Sequence, residues 1–283
     1  MTHSSVVIDP HAAQPTSLTA LVRSIRQHRQ LIVQMTRREV VGRYKGSFLG
    51  MAWSLFNPIL MLVVYTFVFS VAFKARWGGG GEEGKAQFAL VLFVGLMVHG
   101  LLAEVLNRAP TLVLGNVNLV KKVIFPLEIL PLIGVLAALF HLAISLGVLM
   151  VAVVIFSGSL HWTVVFVPLV LVPLIVLACG LAWMLASLGV YLRDVGQTMG
   201  ILTAAMMFLS PVFYPLSALP EGIRGWLFLN PTTFIIEQAR GLLIWGKSPD
   251  WVGLGVYTLV AIGVAWMGYF WFQKTRKGFA DVL

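Results

Sequence analysis

Apolar positions along the chain gather into six long runs, at residues 48–73, 86–106, 127–157, 162–192, 195–216 and 251–272. A helix rises 1.5 Å per residue, so about 20 residues cross a ~30 Å hydrocarbon core, and each run is long enough to do so. Ahead of the first run the pattern is different. Leu18, Leu21, Val22, Ile25, Leu31, Ile32 and Met35 recur at three- and four-residue steps, with Arg23, Arg26, Gln27, Arg29 and Gln30 mostly between them. That periodicity predicts an amphipathic helix lying in the membrane interface; a surface helix packed on a soluble partner is the plainer alternative, and the two are compatible. Residues 217–246 are too polar to span, and read as two short amphipathic helices around Asn230-Pro231. A re-entrant hairpin on the outer side fits them better than a surface loop. The predicted fold class is an all-α integral membrane protein with six transmembrane helices, an N-terminal interface helix and a re-entrant outer hairpin. Residues 1–17 form a flexible N-terminus, 18–46 the interface helix with a basic bend, and 47–283 the six-span domain.

Composition agrees with a membrane solvent. The 283 residues are 59% hydrophobic and 11% charged, against about 25% charged in soluble domains. The net charge of +9 comes from basic residues at the ends of the apolar runs, which points to topology and anionic lipid rather than nucleic acid. Most of the 20 Lys and Arg fall on the side that holds both termini, so the termini are predicted to be cytoplasmic. The first 46 residues hold no short apolar run of the kind that opens a cleaved secretory signal. One cysteine, Cys179, excludes an intramolecular disulfide and a Cys-cluster metal site.

Little of the chain suggests enzyme chemistry. Gly79 to Lys85 fits the glycine and lysine spacing of a phosphate-binding loop, but Ala86 replaces the hydroxyl residue that would reach magnesium, and Glu82 and Glu83 would repel phosphate. The segment is expected to be a flexible outer loop, and no catalytic residue, metal site or bound cofactor is expected in this chain. Glu104 and Arg108 lie one helical turn apart and are expected to pair. Glu128 opens the third run. His99 and His141 are read first as hydrogen-bonded packing residues, with no acid–base pair through the core. Aromatic residues crowd the first and fifth runs, including Trp53, Phe56, Tyr65, Phe69, Phe208, Phe213 and Tyr214. Sugar stacking is one use for them, interfacial belts the commoner one.

Four ordered blocks carry a resemblance to a known family. They are Arg43-Tyr44-Lys45-Gly46-Ser47-Phe48-Leu49-Gly50 with Trp53 and Pro58, then Asn116 to Pro126, then Arg193-Asp194 with Ser210-Pro211-Val212-Phe213-Tyr214, and last Asn230-Pro231 with Glu237 and Arg240. Together they resemble ABC-type-2 exporter permeases, on the polysaccharide, O-antigen and teichoic-acid branch of Wzm/TagG-like channel subunits. The long Gly-rich first outer loop departs from that pattern. The resemblance implies a homodimer in the bacterial cytoplasmic membrane, served by two copies of an ABC nucleotide-binding subunit that uses ATP and Mg. Its substrate would be a polyprenyl-linked polysaccharide, passing a path lined by Arg43, Lys45, Tyr65, Phe69, Phe208, Phe213 and Tyr214. Asn116, Asn118, Lys121, Lys122, Arg193 and Asp194 would contact the ATPase, and Asn230, Pro231, Glu237 and Arg240 would gate the outer end. Asp194 also reads simply as the N-cap of the fifth helix. Open alternatives are an ABC-type-2 exporter of a small amphiphile or lipid, a membrane-embedded glycosyl or phosphosugar transferase, and a self-sufficient channel.

Overall fold

The computed structural model describes residues 16–68, 82–121 and 125–283, and those residues are helical with no strand. Phe69, Lys122, residues 1–15, the end of the first apolar run and Gly78 to Gly81 of the outer loop lie outside the described residues. Two helices make up the N-terminal element. The first, α1 (Leu18–Gln27), starts where the Ser17 side chain accepts from the Ala20 amide at 3.3 Å, and ends at His28. The second, α2 (Arg29–Tyr44), follows at once and packs along the third long helix. The basic bend is made by glycine: Gly46 (φ +87°) and Gly50 (φ +51°) hold left-handed backbone that a side chain would strain. A 3₁₀ turn then leads into α3 (Trp53–Thr66), which carries Pro58 inside it.

At the centre stands α4 (Glu82–Arg108), 78% of whose apolar stretch lies inside the protein; the same figure is 22% for α6 (Ile129–Ser157). Lipid-facing surface is therefore mostly supplied by the outer helices. Because α4 begins at Glu82, the last part of the expected outer loop is helical instead. A 3₁₀ turn at Ala109–Thr111 and a short helix, α5 (Val117–Lys121), connect α4 to α6. Gly158, at φ +76°, closes α6, its N–H reaching the Val154 carbonyl.

The most extensive helix pair joins α7 (Val167–Tyr191) to α11 (Trp251–Thr275). Their backbones touch through glycine: a Cβ on Gly268 would stand 2.0 Å from the Gly180 carbonyl oxygen. Gly189 lets the Pro110 carbonyl approach just as closely, 2.1 Å from an added Cβ. Lipid offers helices no hydrophobic drive to associate, so close packing through small residues supplies the attraction.

Among the described residues, four stretches are long and apolar enough to cross a membrane: Gln87–Thr111, Ile129–Ser157, Trp162–Tyr191 and Trp251–Val282. These match the second, third, fourth and sixth predicted runs. The fifth differs from expectation, since α8 (Val195–Phe208) has 14 residues, about 21 Å of helix, and stops eight residues early. Pro211 cannot continue the helix, and the Asn230 side chain takes the Met206 and Leu209 carbonyls at 2.7 and 3.1 Å. Two short helices, α9 (Glu221–Leu227) and α10 (Pro231–Leu243), stand on either side of Asn230 as expected, and α12 (Phe279–Val282) is the last helix.

Candidate functional site

Charged residues missing from the apolar runs reappear where α2, α4 and α6 meet. Arg43 forms an ion pair with Glu104, and Glu39 one with Arg108. Arg108 also lies 3.7 Å from Glu104, the one-turn pairing expected from spacing. His141 brings Nδ1 to 2.9 Å from Glu104 Oε1 and Nε2 to 3.1 Å from the Tyr44 hydroxyl. Burial raises the Tyr44 phenol above its ordinary range while Arg43 opposes the shift, so it remains a neutral hydroxyl. A phenol donating to Nε2 leaves Nδ1–H to donate to the carboxylate, which satisfies all three groups at once. The expectation that no acid–base pair occupies the core is thus corrected. Glu104 and His141 lie on different helices, and sequence spacing carries no trace of their meeting.

This network forms one end of a cavity of about 410 Å³ between α2, α3, α4 and α6. Of the residues read as path-lining, Arg43 and Tyr65 face it. Lys45 lines a separate surface depression with Arg38, Glu39 and Arg108. Phe208, Phe213 and Tyr214 gather elsewhere, at the end of α8: the two phenylalanine rings are 5.5 Å apart and the Tyr214 hydroxyl donates to the Phe208 carbonyl at 2.8 Å. The structure therefore divides the described path residues among three places.

The hairpin residues act as fasteners. Asn230 caps α10 by accepting from the Thr232 amide at 3.1 Å while its Nδ2 holds the end of α8. Arg240 is fully buried; Nε donates to the Val91 carbonyl of α4 and Nη2 to the Val212 carbonyl, both at 3.0 Å, and Nη1 pairs with Glu237 at 2.9 Å. Pro231 opens α10, and its carbonyl accepts from the Tyr257 hydroxyl of α11 at 2.8 Å.

Away from the hairpin, at the far end of α7, lies the Arg193-Asp194 turn, and α5 reaches this end through α12. The hairpin grips the start of α7, where Thr163 donates to the Leu242 carbonyl at 2.6 Å. At the other end of α7, Tyr191 donates to the Thr275 carbonyl at 2.7 Å and sets its ring at a tilt to that of Phe279, 6.0 Å away. There the 3₁₀ turn at Ala109–Thr111 lies against Gly189 and Gly196, beside the exposed Arg193 and Asp194. Asp194 occupies the N-cap position of α8 but its side chain makes no capping bond. Asn116 donates to the Leu112 carbonyl at 2.9 Å, and α5, which bears Asn118 and Lys121, rests on α12. Among the described residues no group of His, Cys, Asp and Glu is placed to hold a metal.

Glu128 is a junction that sequence reading named only as the start of a run. Its carboxylate accepts from Ser24 of α1 and from Arg276 at the end of α11, each at 2.9 Å, and its carbonyl accepts from the Trp183 indole of α7 at 2.9 Å. Glu128→Ala is expected to destabilise the protein by about 2 kcal/mol, because two charge-assisted bonds are lost and Arg276 is left half-buried without its carboxylate. Thermal unfolding in detergent reads this directly; an unchanged midpoint would contradict the junction.

Helices of this length and polarity, packed through glycine and carrying buried ion pairs, define a polytopic α-helical membrane protein. The family described as ABC-2 type transporter matches residues 30–244, and the chain belongs to that family. That family places it among membrane transport components. The chain is similar to O-antigen export system permease proteins RfbA: 30% identical over 131 residues to that of Myxococcus xanthus, covering 46% of this chain and 47% of the relative. It is 26% identical over 134 residues to one from Klebsiella pneumoniae, covering 47% and 49%. The chain spans about half the length of the curated relatives it matches.

Proposed function

We propose that this chain is the membrane subunit of an exporter that moves a polyprenyl-linked polysaccharide across the bacterial cytoplasmic membrane, powered by a separate ATPase. The similarity to O-antigen export permeases within the ABC-2 family carries this reading. Two chains form the path and two nucleotide-binding subunits, using ATP and Mg, drive it. In this reading the chain crosses the membrane six times with both termini cytoplasmic, α3 and α8 supply the first and fifth crossings, and α9 and α10 form the re-entrant outer hairpin. Both α3 and α8 leave large apolar side chains in the open, among them Val63, Phe67, Ile201 and Phe208, which supports a second copy lying against them. The ATPase docks on α5 and on the Arg193-Asp194 turn, two segments that both reach the end of α7, α5 through α12. Docking on both would carry nucleotide-driven closure to α7 and α8.

Deleting the gene is expected to abolish surface polysaccharide while lipid-linked glycan accumulates on the cytoplasmic side. Restoration by the intact chain, together with co-purification of an ATPase, completes the test. Unchanged surface polysaccharide would remove the glycan from the proposal, and an ABC-2 exporter of another amphiphile would take its place.

A further inference from the structure

The cavity between α2, α3, α4 and α6 sets polar groups among apolar lining, where the neighbouring groove is almost wholly apolar. On the neighbouring face of α3 runs a groove lined by Leu55, Ile59, Leu62 and Val63 with apolar residues of α6. The cavity face of the same helix offers Ser54, Asn57 and Tyr65 beside Pro58 and Met61. Opposite them stand His99 and Phe93 of α4, while His141 and Ser145 come from α6. From Glu104 at one end to Phe93 at the other, the lining follows α4 for about 16 Å. A volume of about 410 Å³ falls within the roughly 300–1,000 Å³ range of small-molecule sites.

Two observations narrow the occupant. His99 is 6% exposed, lines this cavity, and its Nδ1 has no hydrogen-bond partner among the described residues. A buried polar nitrogen of that kind is costly unless something meets it. The second concerns charge. The guanidinium at the cavity, Arg43, is balanced by Glu104, and Glu104 is also bonded to His141. A phosphate placed here would meet a neutralised cation and a carboxylate, and would lose its hydration without a counter-charge. Neutral hydroxyl groups fit instead: an amide, an imidazole and hydroxyls supply both donors and acceptors, and the rings of Phe93 and Tyr65 give faces for C–H contacts.

We propose that this cavity is a binding site for a neutral hydroxylated headgroup, a small saccharide unit carried on an alkyl chain, and that it does not take phosphate. The inference deepens the exporter reading by placing a sugar-recognising site within one protomer, but its test reads binding and not export, so the two fail separately. The probe is an octyl glucoside bearing a photoreactive diazirine, applied to the protein in nanodiscs and mapped by peptide mass spectrometry. Labelling is expected on α3 and α4 peptides around Tyr65 and His99. Unlabelled octyl glucoside should compete and octyl phosphate should not. Asn57→Leu and His99→Phe should each weaken competition about tenfold, the equivalent of one lost hydrogen bond, with thermal unfolding confirming that both variants fold. The proposal is overturned if octyl phosphate competes equally, if labelling falls only on the outer apolar surface, or if folded Asn57→Leu competes like the parent.

Discussion

Arg240→Met lowers the stability of this protein by about 3–5 kcal/mol, the expected result of removing one partner from a buried charge network. The guanidinium is 0% exposed and divides its donors among three places: the Val91 carbonyl on α4, the Val212 carbonyl beyond α8, and Glu237 one turn back on α10. Methionine fills similar space but leaves the carboxylate without its counter-charge and the Val212 carbonyl without its donor. Lysine is no substitute, because a single ammonium group cannot reach acceptors lying in three directions. Both variants should unfold at least roughly 10 °C below the parent in detergent, and Arg240→Met should also run heterogeneously on size exclusion. A folded, export-competent Arg240→Met protein would show that the hairpin is held by its apolar contacts alone. Gly95 belongs to the same joint: an added Cβ there would stand 3.0 Å from Nη2 of Arg240, so the glycine is what gives the guanidinium room.

Gly268→Val has the second large effect. Its Cβ would fall 2.0 Å from the Gly180 carbonyl oxygen, a backbone atom that no rotamer change can move aside. The α7–α11 pair must separate, at an expected cost of about 3 kcal/mol or more, at the upper end of what overpacking does. The same helix contains its own control. Gly255 and Gly263 have no atom within 4 Å of an added Cβ, so Gly263→Val changes propensity and nothing else. Expression and unfolding temperature should separate the two valine variants clearly. Equal behaviour would mean that the helices tolerate a wider crossing than the structure shows.

What could be read from the sequence was local. Runs of apolar residues marked α4, α6, α7 and α11 closely, and the one-turn spacing of Glu104 and Arg108 announced their pairing. Asn230-Pro231 marked a helix start because capping chemistry is also local. The pairing of Arg43 and Tyr44 with Glu104 and His141 was hidden, since α2, α4 and α6 meet only after folding. Glu128 was hidden for the same reason: its partners come from α1 and from the end of α11. The early end of α8 had a visible sign in Pro211, but the residue that holds that end, Asn230, lies 21 residues beyond Leu209.

The short α8 has a mechanical meaning. At one end is the exposed Arg193-Asp194 turn, and at the other its last carbonyls are gripped by Asn230, which also starts α10. Under the proposed docking at Asp194, an axial shift of this 14-residue helix would be felt at Asn230, which holds its last carbonyls. There it meets α10 directly, with no slack loop between. The helix spans roughly 21 Å between those two points. Its shortness is what lets the hairpin ride on its tip.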